Sequence, residues 1–348
     1  MIPVFDGHND TLLLHAERPD RDFFARHEDG HLDYPRGREA GFAGGFFAVF
    51  APSHEAPELD RLVRRPDGTT QPAPSGALDP SVAIRHVNGM VAQFLRWTKD
   101  PDGRFRHVTT AAELERSIAD GAMAGILHFE GAEAIGPDLR ALDVYHAAGL
   151  RSLGPVWSRP NLFGHGVPFV FPATPDLGPG LTAHGRSLVR RCNELRIMID
   201  LSHITERGFW DVAELSTAPL VATHSNAHAV SPHPRNLTDA QLDAVRQSDG
   251  VVGLNFATGF LSPEGNGDKA LPLEVMVRHV DHLVDKLGIE RVAFGSDFDG
   301  ATMPDAIGDV RGVQRLLDAL ADAGYDEAAL HKLAHQNWVR VLRATWGE

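Results

Sequence analysis

The residues Asp6-Gly7-His8-Asn9-Asp10 directly follow a short apolar run, residues 2–5, that we predict to be a buried β-strand. His8 and Asp10 are two residues apart, so their side chains point the same way in an extended backbone. An imidazole and a carboxylate presented together suit a divalent metal, zinc above all. Because a His-x-Asp triplet alone is usually a turn or a surface loop, the prediction depends on its place at a strand end and on similar residues downstream.

Beyond this motif, apolar segments alternate with segments of helical periodicity. The further predicted strands are residues 44–50, 122–129, 151–157, 197–201, 219–223, 251–256 and 291–296. The predicted helices are residues 80–99, 110–119, 139–148, 182–195, 206–215, 241–247 and 271–287, with a helical region from residue 310 onward. About eight strand-then-helix units imply a parallel sheet and favour an α/β fold of the closed (β/α)8 TIM barrel type over an open doubly wound sheet. No Gly-x-Gly-x-x-Gly follows the first strand, which argues against a dinucleotide-binding fold.

We find no internal repeat and no compositional break, so we expect a single domain over residues 1–348. Segment 51–80 is dense in Pro, Gly and Ser and is predicted to be a long loop. Its length suggests a lid or a substrate-facing excursion.

The composition is that of an ordinary globular protein, with 43% hydrophobic and 23% charged residues. The formal net charge of -14 argues against nucleic acid or an anionic membrane surface as a partner. The single cysteine, Cys192, excludes an intrachain disulfide and is expected to be a buried bystander. No apolar run is long enough to span a bilayer, and the metal-like motif leaves no room for a signal peptide, so we expect a cytoplasmic protein.

Histidines and acidic residues stand at the carboxyl ends of the predicted strands: His8, Asp10, Glu130, His203, His224 and Asp297. A barrel gathers these strand ends around one mouth. Three histidines and three carboxylates balance their charges there if they hold two divalent metals, with one bridging carboxylate and neutral imidazoles. Each residue alone has an ordinary alternative, such as a structural histidine, a helix cap or a loop-shaping aspartate. Their shared position makes a metal site the better interpretation.

Six pieces of the chain match a known family in order and approximate spacing: Asp6-Gly7-His8-Asn9-Asp10, Glu130-Gly131, Asp200-Leu201-Ser202-His203, Thr223-His224-Ser225-Asn226-Ala227, Arg235-Asn236 and Gly295-Ser296-Asp297-Phe298-Asp299-Gly300. With these pieces, which extend over nearly the whole length, the chain resembles the membrane (renal) dipeptidase family, the zinc dipeptidases of the amidohydrolase superfamily. The pieces are specific together, although each alone is not.

The resemblance implies a (β/α)8 barrel with two Zn²⁺ ions per chain. His8 and Asp10 are implied to bind one zinc, and His203 and His224 the other. Glu130 is implied to bridge them, where many relatives in the superfamily use a carboxylated lysine. The scarcity of lysine fits a glutamate bridge independently, because none of the lysines ends a predicted barrel strand: Lys99, Lys269, Lys286 and Lys332.

The resemblance also assigns substrate-binding residues. Arg235 matches the family arginine that pairs with the substrate carboxylate, a role suited to a bidentate guanidinium. Trp157 stands where many relatives carry a histidine that is thought to polarise the scissile carbonyl. Trp157 can donate one indole N–H but cannot take a proton, which bears on dipeptidase efficiency and substrate choice. His165 in the following loop is a candidate replacement.

These assignments predict a zinc-dependent dipeptidase whose substrate is a small dipeptide. A metal-bridging hydroxide attacks the peptide carbonyl, Asp297 takes the water's proton and passes it to the leaving amine, and Arg235 holds the carboxylate. The family often accepts a D-residue in second position, so L-Xaa-D-Xaa dipeptides are candidate substrates beside L-Xaa-L-Xaa.

Three alternatives stay open at this point. One is another amidohydrolase-type reaction on an amide or a lactone. A second is a non-catalytic metal-binding barrel, against which the intact Asp297 argues. The third concerns the metal, since iron or manganese binds similar ligand sets. The resemblance also suggests a homodimer, which no sequence pattern tests.

Overall fold

The structure, a computed structural model, describes residues 1–52, 62–64, 70–72 and 76–347. Its strands are β1 (Val4–Asn9), β2 (Phe42–Phe50), β3 (Leu62–Arg64), β4 (Thr70–Pro72), β5 (Phe105–His107), β6 (Met123–Glu130), β7 (Leu150–Gly154), β8 (Met198–Ile199), β9 (Val221–Ala222), β10 (Val251–Leu254) and β11 (Val292–Phe294). Its α-helices are α1 (Thr11–Glu17), α2 (Tyr34–Glu39), α3 (Pro80–Trp97), α4 (Ala111–Asp120), α5 (Arg140–Ala147), α6 (Ala183–Leu195), α7 (Glu206–Leu215), α8 (Asp239–Gln247), α9 (Thr258–Leu261), α10 (Leu273–Leu287), α11 (Gly312–Asp322), α12 (Glu327–His331) and α13 (Asn337–Trp346). A π-helical turn, Lys332–Gln336, joins α12 to α13.

Eight of the described strands close into a parallel barrel. β1, β2, β6, β7 and β8 are hydrogen-bonded in that order, and β9, β10 and β11 form a second group. Isolated parallel bridges join the two groups, from Asp200 to Val221 on one side and from Asn9 to Phe298 on the other. Parallel neighbours require crossover connections, which the intervening helices supply. The predicted (β/α)8 barrel is confirmed.

Several helices begin where the sequence offers a hydroxyl cap. Thr110 precedes α4, and its Oγ1 accepts a hydrogen bond from the Glu113 amide at 3.2 Å. Thr238 and Gln241 form a reciprocal capping box at the start of α8. Such caps satisfy amides that otherwise have no partner in the first helical turn, which explains why the predicted and observed starts of these helices nearly agree.

The boundaries differ from the prediction at the barrel mouth. β1 continues to Asn9, because it stays paired with β2 up to the Asn9–Phe47 step, so His8 lies inside the strand. Asp10 is instead the N-cap of α1, so the extended geometry predicted for the pair ends before it. β7 ends at Gly154, and Trp157 therefore lies in the following loop rather than in the predicted strand. Pro155 explains this ending, because proline lacks the N–H that a strand ladder needs.

The polar region between β1 and β2, for which we predicted no helix, contains α1 and α2. The N-cap of α2 is Asp33, whose carboxylate accepts from the Arg36 amide at 2.9 Å. The predicted loop at residues 51–80 includes the short antiparallel strands β3 and β4. The predicted lid falls largely outside the described residues.

The barrel interior below the mouth is filled by an apolar cluster that includes Phe5, Phe46, Met198 and Trp338. The Trp338 ring of α13 lies 5.2 Å from that of Phe46. A Cβ added at Gly7 would approach Trp338 Cζ2 to 2.4 Å, so glycine is required between Asp6 and His8 for this packing. Within the part of the chain that the structure describes, no helix is both long and apolar enough to cross a membrane.

Candidate metal centre and active site

The structure brings the six predicted strand-end residues together at the carboxyl end of the barrel. Each is at most 8% exposed: His8, Asp10, Glu130, His203, His224 and Asp297. His203 and Asp297 adopt φ values of 69° and 64°. Left-handed backbone is costly for most residues other than glycine, and such strain recurs at active sites.

Glu130 lies at the centre of this cluster. Its Oε1 is 2.9 Å from His203 Nε2, 3.6 Å from His224 Nε2 and 3.7 Å from His8 Nε2. The same Nε2 atom of His8 is 3.3 Å from Asp10 Oδ2. One carboxylate therefore stands between a His–Asp pair and a His–His pair.

A chain of hydrogen bonds fixes the tautomer of His224. Thr223 Oγ1 donates its single proton to Asp200 Oδ2 at 2.6 Å, so it accepts from His224 Nδ1 at 2.8 Å. Nε2 of His224 consequently presents a lone pair toward Glu130 and toward His203 Nε2, which lies 3.0 Å away. A carboxylate that orients a metal-binding histidine from behind is common in metal sites.

Asp200 is the main residue that the sequence analysis left unassigned. Its Oδ1 accepts hydrogen bonds from Ser202 Oγ at 2.8 Å and from the Thr223 amide at 2.8 Å. The Nε2 of His128, one layer below Glu130 on β6, lies 3.6 Å from Asp200 Oδ2. The signal was present, because Asp200 is a carboxylate at the end of an apolar strand, two residues after Met198. Its buried hydrogen bonds make it a support for His224.

The acid–base properties of the cluster follow from burial and crowding. Burial raises the pKa of Glu130 well above its usual value and also raises that of Asp297. Burial lowers the pKa of His203 and His224 well below the usual value, which keeps both imidazoles neutral. Burial also acts to lower the pKa of His8, but the carboxylates of Glu130, Asp10 and Asp297 outweigh it and raise that pKa to about 10. Among the protein groups, the carboxylates therefore stabilise a positive charge at His8.

The same residues fit divalent metal ions. Three overlapping triads have potential ligand atoms within 4.8 Å of one another: His8–Asp10–Asp297, Glu130–His203–His224 and His8–Asp200–His224. Within the described residues, both ring nitrogens of His8 and Oδ1 of Asp10 are buried without a hydrogen-bond partner. Buried polar atoms without partners are uncommon, and neutral imidazoles with carboxylates are the donors that zinc and related metals take.

Both the backbone and the side chain of Asp297 are hydrogen-bonded beside this cluster. Its amide donates to the His8 carbonyl at 2.9 Å, and its Oδ2 accepts from Asn255 Nδ2 at 2.9 Å. Asn255 follows β10 and had not been singled out from the sequence, because a lone asparagine after a strand has no distinguishing pattern. Asn255 bonds Oδ2 and not Oδ1 of Asp297, and Asp297 lines the cavity above the cluster.

Arg235 is buried in the loop after β9 and reaches the same region. Its Nη2 donates to the His224 carbonyl at 3.0 Å, its Nη1 donates to Ser225 Oγ at 3.4 Å, and its guanidinium lies 5.3 Å from the Phe260 ring centroid. Nε of Arg235 is buried without a hydrogen-bond partner in the part of the chain that the structure describes. Burial lowers the pKa of Arg235 to about 10, and the group stays cationic at neutral pH.

A cavity of about 420 Å³ opens above the cluster. Asp10, Glu130, His203 and Asp297 form its floor. The remaining lining residues are mainly apolar: Leu13, Glu17, Phe50, Pro52, Trp157, Phe169, Phe260, Gly300 and Ala301. His165, the candidate replacement for the family histidine, does not line this cavity, and its Nδ1 lies 3.4 Å from the Gly180 carbonyl.

Comparison with known proteins identifies relatives over nearly the whole chain. The family model of membrane dipeptidase (peptidase family M19) matches residues 1–346. A metallo peptidase from Rhodobacter sphaeroides, solved with a phosphinate mimic of the dipeptide L-Ala-D-Ala, is 51% identical, with a TM-score of 0.95 and 99% coverage of each chain. The metallo peptidase dipeptidase AC is 50% identical, with a TM-score of 0.93, covering 100% of this chain and 99% of that one. An uncharacterized Klebsiella pneumoniae protein from the pqqA 5' region is 50% identical over 244 residues, 70% of this chain and 90% of its own.

Proposed function

Because the chain belongs to the membrane dipeptidase family of metal-dependent hydrolases, we propose that it hydrolyses L-Xaa-L-Xaa and L-Xaa-D-Xaa dipeptides with two zinc ions at the barrel mouth. The observation that carries the proposal is the position of Glu130. Its carboxylate oxygen is within 3.7 Å of the Nε2 atoms of all three histidines, between the two predicted ligand pairs.

His8 and Asp10 hold one ion in this proposal, His203 and His224 hold the other, and Glu130 bridges the two. The fixed Nδ1–H tautomer of His224 and the partnerless ring nitrogens of His8 support these assignments. The bound ions supply an acidic water near neutral pH and Lewis-acid polarisation of the scissile carbonyl.

The proton transfers belong to Asp297. It takes the proton of the attacking water through Oδ1, the oxygen that Asn255 does not bond, and returns it to the amine of the leaving residue. The hydrogen bond from Asn255 to Oδ2 keeps the carboxylate in one orientation during both transfers. Burial favours the protonated carboxyl that exists between the two transfers, because the charged form is poorly solvated.

Arg235 binds the substrate's free carboxylate. Among the described residues its Nε has no hydrogen-bond partner, and its Nη1 contact to Ser225 is long. An incoming carboxylate therefore completes the hydrogen bonds of a buried cation. A carboxylate held at a fixed distance from the scissile bond limits substrates to dipeptides. The Rhodobacter sphaeroides relative was solved with a mimic of L-Ala-D-Ala, which supports including a D-residue at the second position.

The proposal is tested by measuring bound metal and dipeptide hydrolysis on the same preparation. We expect two zinc ions per chain after reconstitution, and chelator-sensitive cleavage of dipeptides but not of tripeptides or dipeptide amides. Failure to bind metal would contradict the ligand assignments. Two bound ions without dipeptide cleavage would favour the alternative reaction on another amide or a lactone, with Trp157 in place of the family histidine as the first residue to examine.

A further inference from the structure

Three aromatic residues that line the cavity form a continuous row beginning at the floor. The Trp157 ring centroid lies 5.7 Å from that of His203, Phe169 lies 5.5 Å from Trp157, and Phe260 lies 5.7 Å from Phe169. We call Trp157, Phe169 and Phe260 the aromatic wall. Among the other described lining residues, Phe50 adds a ring 5.1 Å from Trp157.

The aromatic wall extends from the scissile bond to the carboxylate anchor. Its first ring is beside His203 on the floor, and its last ring faces the Arg235 guanidinium at 5.3 Å. A dipeptide whose scissile carbonyl lies at the floor and whose carboxylate reaches Arg235 places its second residue between these two points. The aromatic wall therefore lies beside the space of the second residue, and a side chain directed to that side contacts the rings.

The first ring of the wall has a buried neighbour. Arg159 is buried, with its guanidinium 5.2 Å from the Trp157 ring and 5.1 Å from the Phe50 ring. Its Nε donates to Glu133 Oε1 at 2.8 Å and its Nη2 donates to the Ala51 carbonyl at 2.7 Å. A hydrogen-bonded neighbour of this kind reduces the entropy that the Trp157 ring loses on binding.

We propose that the aromatic wall makes this enzyme select dipeptides with a large apolar, preferably aromatic, side chain on the carboxyl-terminal residue. The inference rests on the proposed dipeptidase function and on Arg235 as the anchor. The preference comes from apolar burial and from ring–ring contact. A benzyl side chain against the wall buries a large apolar area and contacts the rings, whereas a methyl side chain buries little area and has no ring. The N-terminal residue lies beyond the scissile bond, away from Phe169 and Phe260, and is not subject to this selection.

The experiment compares kcat/KM of the zinc-loaded enzyme for Ala-Phe and Ala-Ala, in both configurations of the second residue, and for Phe-Ala. We expect Ala-Phe to exceed Ala-Ala by about tenfold or more in the configuration whose side chain is directed to the wall, the discrimination that an apolar pocket provides. Phe-Ala is expected to gain much less. Phe169→Ala should bring the Ala-Phe to Ala-Ala ratio close to one, and Phe169→Leu should give an intermediate ratio if the alanine variant does not fold.

Leu162→Ala is the matched control, because Leu162 is an exposed apolar residue of the same loop that does not line the cavity. It should keep the wild-type ratio. A wild-type ratio near one, or a ratio that both Phe169 variants leave intact, would overturn the aromatic selection while dipeptide hydrolysis itself stands. If no dipeptide is cleaved by the zinc-loaded enzyme, the proposed function fails first, and the inference fails with it.

Discussion

Asn255 donates a hydrogen bond from Nδ2 to Oδ2 of Asp297 at 2.9 Å, across two neighbouring barrel strands, β10 and β11. The backbone N–H of Asn255 donates to Asn226 Oδ1 at 2.9 Å, and the side-chain Oδ1 of Asn255 accepts from the Ala257 N–H at 2.6 Å. Asn255 is thus fixed on three sides, and it leaves one oxygen of Asp297 available for proton transfer. A carboxylate held in this way is suited to general acid–base catalysis.

Replacing Asp297 by Asn removes the proton acceptor while nearly preserving the shape of the side chain. We expect kcat to fall by about 10²- to 10⁴-fold, the usual contribution of a general acid–base group. Bound metal should remain, because the other five cluster residues are unchanged. Steady-state rates and metal analysis on the same sample check this. Asp305→Asn, at an exposed position, is the control, and normal turnover by the Asp297 variant would remove it from the mechanism.

Replacing Arg235 by Met removes the guanidinium but retains an unbranched apolar stem. Charge-assisted hydrogen bonds contribute about 1.5–3 kcal/mol each, so kcat/KM for dipeptides should fall by roughly 10²-fold. A dipeptide amide, which lacks the free carboxylate, should show the same residual rate with both forms, however low that rate is. Arg278→Met, on the exposed side of α10, controls for loss of a positive charge. Equal losses for substrates with and without a carboxylate would assign Arg235 a structural role instead.

Replacing Thr223 by Val removes the hydroxyl that accepts from His224 Nδ1 and donates to Asp200. Loss of such a support typically lowers metal affinity by about 10- to 100-fold. We expect weaker binding at the His203–His224 pair, measured by competition with a chromophoric chelator. Thr345→Val is the matched control, because the buried Thr345 hydroxyl bonds only within α13, to the Val341 carbonyl at 2.8 Å. Unchanged affinity in the Thr223 variant would show that His224 is oriented by packing alone.

His279 is a buried histidine on α10, away from the metal cluster. We predict that its protonation lowers the stability of the fold at acid pH. The Ala227 amide donates to its Nδ1 at 3.2 Å and its Nε2 donates to the Leu261 carbonyl at 3.0 Å, so the ring is satisfied when neutral. Burial lowers the pKa of His279 to about 4. The unfolded chain protonates this imidazole at about pH 6.5. The contribution of neutral His279 to the free energy of unfolding is therefore complete above that pH and is lost as the pH falls toward 4.

The expected loss for His279 is up to about 3 kcal/mol, at about 1.4 kcal/mol per unit of pKa difference. Denaturant unfolding at several pH values between 7.5 and 4.5 measures it. His279→Gln should show a shallower decline of the unfolding free energy over this range than the wild type. His184→Gln, at an exposed position on α6, should keep the wild-type slope. Identical slopes for the His279 variant and the wild type would mean that other groups carry the acid sensitivity.

The sequence by itself determined the architecture of this protein and the residues that compose its cluster. Apolar runs alternating with amphipathic segments act over a few neighbouring residues, so they predict β6 or α10 without knowledge of the rest of the chain. Parallel strands place all their carboxyl ends at one mouth, and from this rule alone Glu130, His203 and His224 were expected to meet. Element ends were predicted less well, because Pro155 and the N-cap at Asp10 shift them by a few residues.

Only the tertiary structure decided how the members of the site face one another. Two features join residues from the segments that follow β7, β8, β9 and β10: the support of His224 by Asp200, and the row of rings from Trp157 through Phe169 to Phe260 of α9. No local pattern encodes such contacts, since side-chain positions across loops are set by closure of the barrel and by packing against neighbours distant in sequence. Composition and periodicity therefore determine which groups reach the mouth, whereas close packing there determines which atoms bond and which substrate side chain the cavity accommodates.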